Sequence, residues 1–136
     1  MTGAVYPQII PQAQTLMAGK LTTHVLDTAN GCPAAGMTIH LWAIAPDSGS
    51  RTHLKSVRTN RDGRADSPLL TDADFQVGLY ELVFEVGLYF QQHEPTLPQP
   101  PFLDQVPLRF GIADADAHYH VPLLTSPWSY STYRGS

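Results

Sequence analysis

Cysteine is nearly absent from this chain: Cys32 stands alone among 136 residues, so no intramolecular disulfide is available and the fold must rest on a packed core. Positive charge is scarce as well. Eight lysines and arginines against twelve aspartates and glutamates give a formal charge of -4, which leaves no basic footprint for nucleic acid or an anionic membrane surface. No run approaches the roughly 20 apolar residues that a membrane-spanning helix requires. The first basic residue is Lys20, so residues 1–19 lack the cationic start of a secretory signal. These absences point to a cytoplasmic protein with neither nucleic acid nor membrane as partner. Helical periodicity is also missing from almost the whole sequence, and no internal repeat occurs.

What is present is a single domain's worth of chain with 43% hydrophobic residues, enough to bury a core without staples. Residues 1–19 carry Pro7, Pro11 and several glutamines without a sustained period, and read as a flexible leader ahead of a domain spanning 20–136. From Lys20 onward the period is two. Met37, Ile39, Leu41 and Ala43 alternate with Thr38, His40 and Trp42, and Val106, Leu108, Phe110 and Ile112 alternate with Pro107, Arg109 and Gly111. Turn clusters separate such runs at Asn30-Gly31, at Pro46 to Gly49, at Asn60 to Gly63 and at Pro95 to Pro101. This pattern predicts an all-β sandwich. One segment departs from it: Val86, Tyr89, Phe90 and His93 recur at three and four, which predicts one short helix.

Three groups of residues are candidates for chemistry. His118 and His120 share one face of a strand whose other face carries Tyr119, Val121 and Leu123, and His24 lies outward on a second alternating strand, Leu21 to Leu26. An i, i+2 histidine pair suits a metal, but it needs further ligands that Cys32, isolated in its turn, does not supply; unliganded surface histidines are the simpler reading. Asp62-Gly63-Arg64 reads as a turn, and equally as an arginine offered at a strand start to grip an oxygen anion with its planar fork. Ser136, His120 and Asp116 are the parts of a nucleophile triad, yet no Gly-x-Ser-x-Gly elbow is present. Spacing alone does not choose among these readings.

Four stretches narrow the choice: Leu21-Thr22-Thr23-His24-Val25-Leu26-Asp27-Thr28, Gly31-Cys32-Pro33-Ala34, Asp62-Gly63-Arg64, and His118-Tyr119-His120-Val121-Pro122-Leu123-Leu124 followed by Tyr130-Ser131-Thr132-Tyr133-Arg134-Gly135-Ser136. In order, from Leu21 to Ser136, they resemble the 5-hydroxyisourate hydrolase family, the transthyretin-related enzymes of urate breakdown. The hormone carrier transthyretin shares the fold and the Ser-Pro-x-Ser-Tyr-Ser-Thr lead-in, but it lacks the histidines and the final Tyr-Arg-Gly-Ser.

The resemblance implies a transthyretin-like sandwich of two four-stranded sheets with one short helix, assembled as a homotetramer whose sites lie in a channel at the dimer–dimer interface. It implies hydrolysis of 5-hydroxyisourate to 2-oxo-4-hydroxy-4-carboxy-5-ureidoimidazoline, with a small molecule as the substrate and neither cofactor nor metal. The family's catalytic set falls on His24, Arg64, His120 and Ser136. Substrate contacts fall on His24, Arg64, Tyr133 and His118, and Arg134 also matches a family position. The alternative is a transthyretin-like carrier without catalysis, which would need apolar residues in place of His24, Arg64 and His120.

Overall fold

In the computed structural model, which describes residues 19–135, the period-two segments become the strands of a two-layer sandwich. The leader, apart from Gly19, and the terminal Ser136 lie outside the described residues. One layer contains β4 (Thr38–Ile44), β5 (Arg51–Arg58), β7 (Gly78–Glu85) and β8 (Gln105–Ile112), ordered β5-β4-β7-β8 and antiparallel throughout. The other contains β1 (Lys20–Thr22), β2 (Val25–Asp27), β3 (Cys32–Pro33), β6 (Leu70–Thr71), β9 (His118–His120), β10 (Leu123–Thr125) and β11 (Tyr130–Thr132).

Where the resemblance implies one four-stranded sheet, this second layer runs as two sections, β6-β1-β9 and β11-β10-β2-β3. The break falls at Thr23-His24 on one chain segment and Val121-Pro122 on the other, where Pro122 faces away from the Thr22–His24 segment and its carbonyl accepts from the Thr132 hydroxyl at 2.6 Å. Backbone bonds nevertheless carry across it. Val121 N donates to Thr22 O at 2.9 Å, Leu123 N donates to His24 O at 2.9 Å, and the Thr23 hydroxyl donates to Val121 O at 2.8 Å.

The apolar faces meet between the layers. Leu21, Val25 and Leu123 from one side pack with Ile39, Leu82 and Phe84 from the other, all essentially without solvent contact. Burying each such side chain is worth about 1.5–3 kcal/mol. The alternation predicted for Met37 to Ala43 holds, with Ala43 packed against the core opposite Tyr80. The register with β5 shifts between Leu41 and Trp42, so Leu54 is skipped and stands 41% exposed.

The predicted helix forms over Val86–His93, here α1, burying Val86, Tyr89 and Phe90 on one face. It is tied to the sandwich by a polar bond. The Tyr89 hydroxyl donates at 2.8 Å to Asp27 Oδ2, and this buried carboxylate also receives the backbone N–H of Asn30 at 2.9 Å and its Nδ2 at 2.7 Å. A buried charge is tolerated there because its oxygens are satisfied. A short 3-10 turn over Asp72–Asp74, which periodicity did not announce, precedes β7.

Candidate active site

β9 carries His118 and His120 on one side and buries Tyr119 on the other, so the strand period alone sets the two imidazoles side by side. β1 runs parallel to it in a register that puts Thr22 directly across from His120. The Thr22 hydroxyl bridges both rings, 2.8 Å from His118 Nε2 and 2.8 Å from His120 Nδ1.

His24 follows on the same outward face two residues after Thr22, and its backbone bridges to that of Arg64. Its Nε2 lies 2.9 Å from the carbonyl oxygen of Asp62. A carbonyl only accepts, so Nε2 carries the hydrogen and the bare nitrogen of the neutral ring is Nδ1.

Arg64 is mounted on a turn built around Asn60. The Asn60 side-chain oxygen accepts from the backbone N–H groups of Asp62 at 2.9 Å and Arg64 at 3.2 Å, while the Asn60 N–H donates to Arg64 O at 2.8 Å. Gly63 completes the turn at φ 76°, where a Cβ would also run into the carbonyl oxygen of Val25. The turn read from Asp62-Gly63-Arg64 is therefore present, and it mounts Arg64 at its end. Asn60 Nδ2 donates to Asp66 Oδ1 at 3.0 Å and fixes that carboxylate as well.

Thr22, Arg64, Asp66, Ser67, His118 and His120 wall an open cleft of about 420 Å³, and His24 stands beside Arg64 and His120 without lining it. Its electrostatics favour neutral imidazoles. Loss of hydration lowers the His120 pKa below the usual value, and the charges of Arg64, His118 and His24 lower it further. His24 is lowered by burial and then by Arg64, against the opposing pull of the Asp62 carbonyl and carboxylate. His118 is lowered by burial and then by Lys20. The arrangement thus offers proton acceptors at neutral pH beside a permanent cation with a fork of donors, which is what hydrolysis of a carbonyl through an oxyanion asks for.

The end of the chain reaches this place. Gly135 N donates to His120 O at 2.8 Å, and a Cβ on Gly135 would stand 2.7 Å from His120 Cδ2, so the backbone lies against the ring. The predicted role of Ser136 lies outside the described residues. Of the other predicted residues, His24, Arg64, His118 and His120 come together, whereas Tyr133 does not line the cleft. Tyr133, 59% exposed, and Arg134 face a separate cavity of about 340 Å³ beside β8, with Arg134 Cζ 4.1 Å from the centre of the Tyr119 ring. Asp116 sits in the turn before β9 and does not line the cleft either. Among the described residues no group of three or more His, Cys, Asp or Glu is placed to hold a metal ion.

Two residues of the site escaped sequence reasoning. Thr22 could have been found, since it shares the outward face of its strand with His24; Asn60 gave only a generic turn signal.

Residues 21–135 match the sequence profile of the HIUase/Transthyretin family. A curated 5-hydroxyisourate hydrolase of Mesorhizobium japonicum is 60% identical over 118 residues, which is 87% of this chain and 93% of that one. Among solved structures, (S)-allantoin synthase superposes with a TM-score of 0.81 at 52% identity, covering 87% of this chain and 44% of that chain. Transthyretin from Sparus aurata superposes with a TM-score of 0.75 at 26% identity, over 85% of this chain and 96% of that one.

Proposed function

The chain belongs to the HIUase/Transthyretin family, and from that premise we propose that the cleft between Arg64 and His120 is where it opens the ring of 5-hydroxyisourate. Hydrolysis of 5-hydroxyisourate in urate degradation is the activity, and the identity to the Mesorhizobium japonicum hydrolase over nearly the full length of both chains is the observation that carries it. The product we assign, 2-oxo-4-hydroxy-4-carboxy-5-ureidoimidazoline, carries a new carboxyl and a new ureido group. The bond broken is therefore an amide C–N bond of the six-membered ring.

That bond identifies the tasks. Water adds to a ring carbonyl, its proton goes to a base, negative charge grows on the carbonyl oxygen, and the departing nitrogen takes a proton. His120 is the base in this reading, and returns the proton to the leaving nitrogen as the tetrahedral adduct collapses. Arg64 holds the flat substrate and stabilises the oxyanion with paired N–H donors. His24, with Nδ1 bare, accepts a hydrogen bond from the attacking water and so shares in its activation. Ser136 orients the water or a histidine, and His118 contacts substrate.

We further infer a homotetramer in which Tyr133 approaches a neighbour's cleft. The outer edge of β8 is unpaired among the described residues, and the partly apolar cavity beside it, with Tyr133 on its rim, is the kind of edge a second copy covers. No helix of the described residues is long and apolar enough to cross a membrane. We place the reaction in the cytoplasm, where the exposed thiol of Cys32 stays reduced.

A carrier function would leave ionisable residues facing an apolar ligand. The deciding experiment is to add freshly generated 5-hydroxyisourate to the protein and follow its ultraviolet absorbance. Accelerated decay is expected, and a decay no faster than that of buffer rejects the reading.

A further inference from the structure

We propose that Thr22 is a positioning residue that selects the tautomer of His120, holding Nδ1 protonated and Nε2 bare, and that it does so only while His118 is neutral. This rests on the assignment of His120 as the base.

A threonine hydroxyl has one hydrogen to donate and two lone pairs. Thr22 Oγ1 is within 2.8 Å of two ring nitrogens, His118 Nε2 and His120 Nδ1, and makes no other hydrogen bond among the described residues. Satisfying the hydroxyl hydrogen and keeping both bonds leaves two arrangements. In the first, Thr22 donates to a bare His118 Nε2 and accepts from His120 Nδ1–H; His120 then has its lone pair on Nε2 and is a competent base. In the second, Thr22 donates to His120 Nδ1, whose lone pair is consumed there, and Nε2 carries the hydrogen. His120 is then no base for water.

His118 decides between them. As a cation it has hydrogen on both nitrogens, cannot accept from Thr22, and drives the hydroxyl to donate to His120. Only the neutral, Nδ1–H form of His118 supports the first arrangement. The charged and titratable groups facing this pair are Lys20 next to His118, and Arg64 and His24 next to His120, with Asp66 across the cleft. Lys20 and burial both resist charging of His118, which favours the competent state at neutral pH. Rigid register supports the assignment as well. Thr22 and His120 are direct partners across a parallel strand pair whose neighbours, Leu21 and Tyr119, are buried in the core, so the register holds the Thr22 side chain beside both rings.

The test compares Thr22→Val, which removes the hydroxyl at nearly constant shape, with Thr22→Ser, which keeps it. Long-range proton–nitrogen NMR on the imidazoles reads the tautomer without any turnover. Wild type and Thr22→Ser are expected to show His120 protonated at Nδ1, and Thr22→Val a large shift of population towards Nε2–H. In parallel, kcat for Thr22→Val falls on the order of 10- to 100-fold, the range for partners that orient a histidine. KM stays within about two-fold, and Thr22→Ser restores most of the rate. A dispersed amide spectrum establishes that the variant is folded. An unchanged His120 tautomer in folded Thr22→Val overturns the proposal, as does predominant Nε2–H in the wild type. Failure of the underlying reading looks different: His120→Asn would turn over normally whatever the tautomer measurement reports.

Discussion

The molecule contains two clusters in which one hydroxyl bridges two imidazoles, one on each layer of the sandwich. On the layer of β1 and β9 Thr22 links His118 and His120 at 2.8 Å each; on the layer of β4 and β5, Ser56 Oγ lies 2.7 Å from His40 Nδ1 and 2.8 Å from His53 Nε2. In both, the hydroxyl residue sits directly across a strand pair from one of its histidines, Thr22 from His120 and Ser56 from His40. The difference lies in the next neighbour. His40 Nε2 meets the Glu85 carboxylate at 3.0 Å, and Gln105 Nε2 donates to the same oxygen at 2.9 Å. The proton on His40 Nε2 is thereby held by an anion. His120 instead faces Arg64, a cation that disfavours its charging. A motif of imidazoles and a hydroxyl is common to both places, and the sign of the third charge separates a surface brace from a cleft whose imidazoles are disfavoured from charging beside a guanidinium.

The largest effects are expected where the guanidinium fork or the proposed base is removed. Arg64→Lys keeps the charge but loses the planar fork, and His120→Asn keeps a polar side chain but loses the acceptor nitrogen. Each should lower kcat by about 2 to 4 orders of magnitude, the scale of a lost acid–base or oxyanion group, with an unchanged circular dichroism spectrum. Turnover near the wild-type rate in either variant would remove that residue from the mechanism.

A smaller but more pointed effect is expected from Gly135→Ala. The added methyl would stand 2.7 Å from His120 Cδ2, closer than carbon atoms approach, so the imidazole must turn or the chain end must move. Either displaces the base while leaving the core alone. Single-turnover measurements should show a chemical step slower by about 10-fold or more, as small displacements of reacting groups usually produce, with thermal stability close to wild type. An unchanged chemical step would mean that the chain end does not constrain His120.

Ionisation sharpens the comparison further. The pKa values of His24, His118 and His120 all lie below the ordinary histidine value of about 6.5. A base acts only when neutral, so kcat/KM should hold through pH 6.5 and fall on further acidification. Stability should follow with the same sign. Between the unfolded value and the lower folded values the unfolded chain binds more protons, so stability is complete above about pH 6.5 and is lost as pH falls through the folded pKa values. Replacing Arg64 by Gln removes a lowering charge from His120 and His24, and NMR titration should show both histidines moving upward. Values that stay put would show that the guanidinium does not act on them.

Much of this was legible in the sequence. The outward placement of His118 and His120, the inward placement of Tyr119 and Leu123, the helix at Val86–His93 and the turn at Asn60–Gly63 all follow from local period and turn chemistry. What was not legible is non-local. The one-residue slip beside Leu54 and the break of the second layer at Pro122 depend on which strand lies alongside, and the bridging role of Thr22 depends on β1 meeting β9 in parallel across 98 positions of sequence. Tyr133 shows the converse. Its motif pointed to the cleft, yet in one chain it lies with Arg134 against β8, because Arg134 stacks on the outer face of Tyr119 and draws the segment that way.

The smallest effect is expected from Ser56→Ala, and it bears on the comparison most directly. If two imidazoles on a hydroxyl were sufficient for activity, the layer of β4 and β5 would hold a rival site, in a shallow hollow of about 370 Å³ with Trp42 and Arg51 at its rim. Its parts are oriented against that. Glu85 fixes the hydrogen of His40 on Nε2, Ser56 donates to the bare Nδ1, and His53 donates to Ser56, so both nitrogens of His40 are engaged and the bare Nδ1 of His53 is the one ring acceptor left in the cluster. The Arg51 guanidinium at the rim is already paired, 3.0 Å from Glu81 and stacked over the Trp42 ring, so it is not a free clamp as Arg64 is proposed to be. Removing the Ser56 hydroxyl should therefore leave kcat and KM for 5-hydroxyisourate within about two-fold, and cost stability no more than about 0.5–1.5 kcal/mol for exposed hydrogen bonds. The informative measurement is the paired one, Ser56→Ala beside Thr22→Val in the same assay. Equal losses from the two would mean that the hydroxyl bridge as such, and not its neighbouring charge, is what the reaction uses.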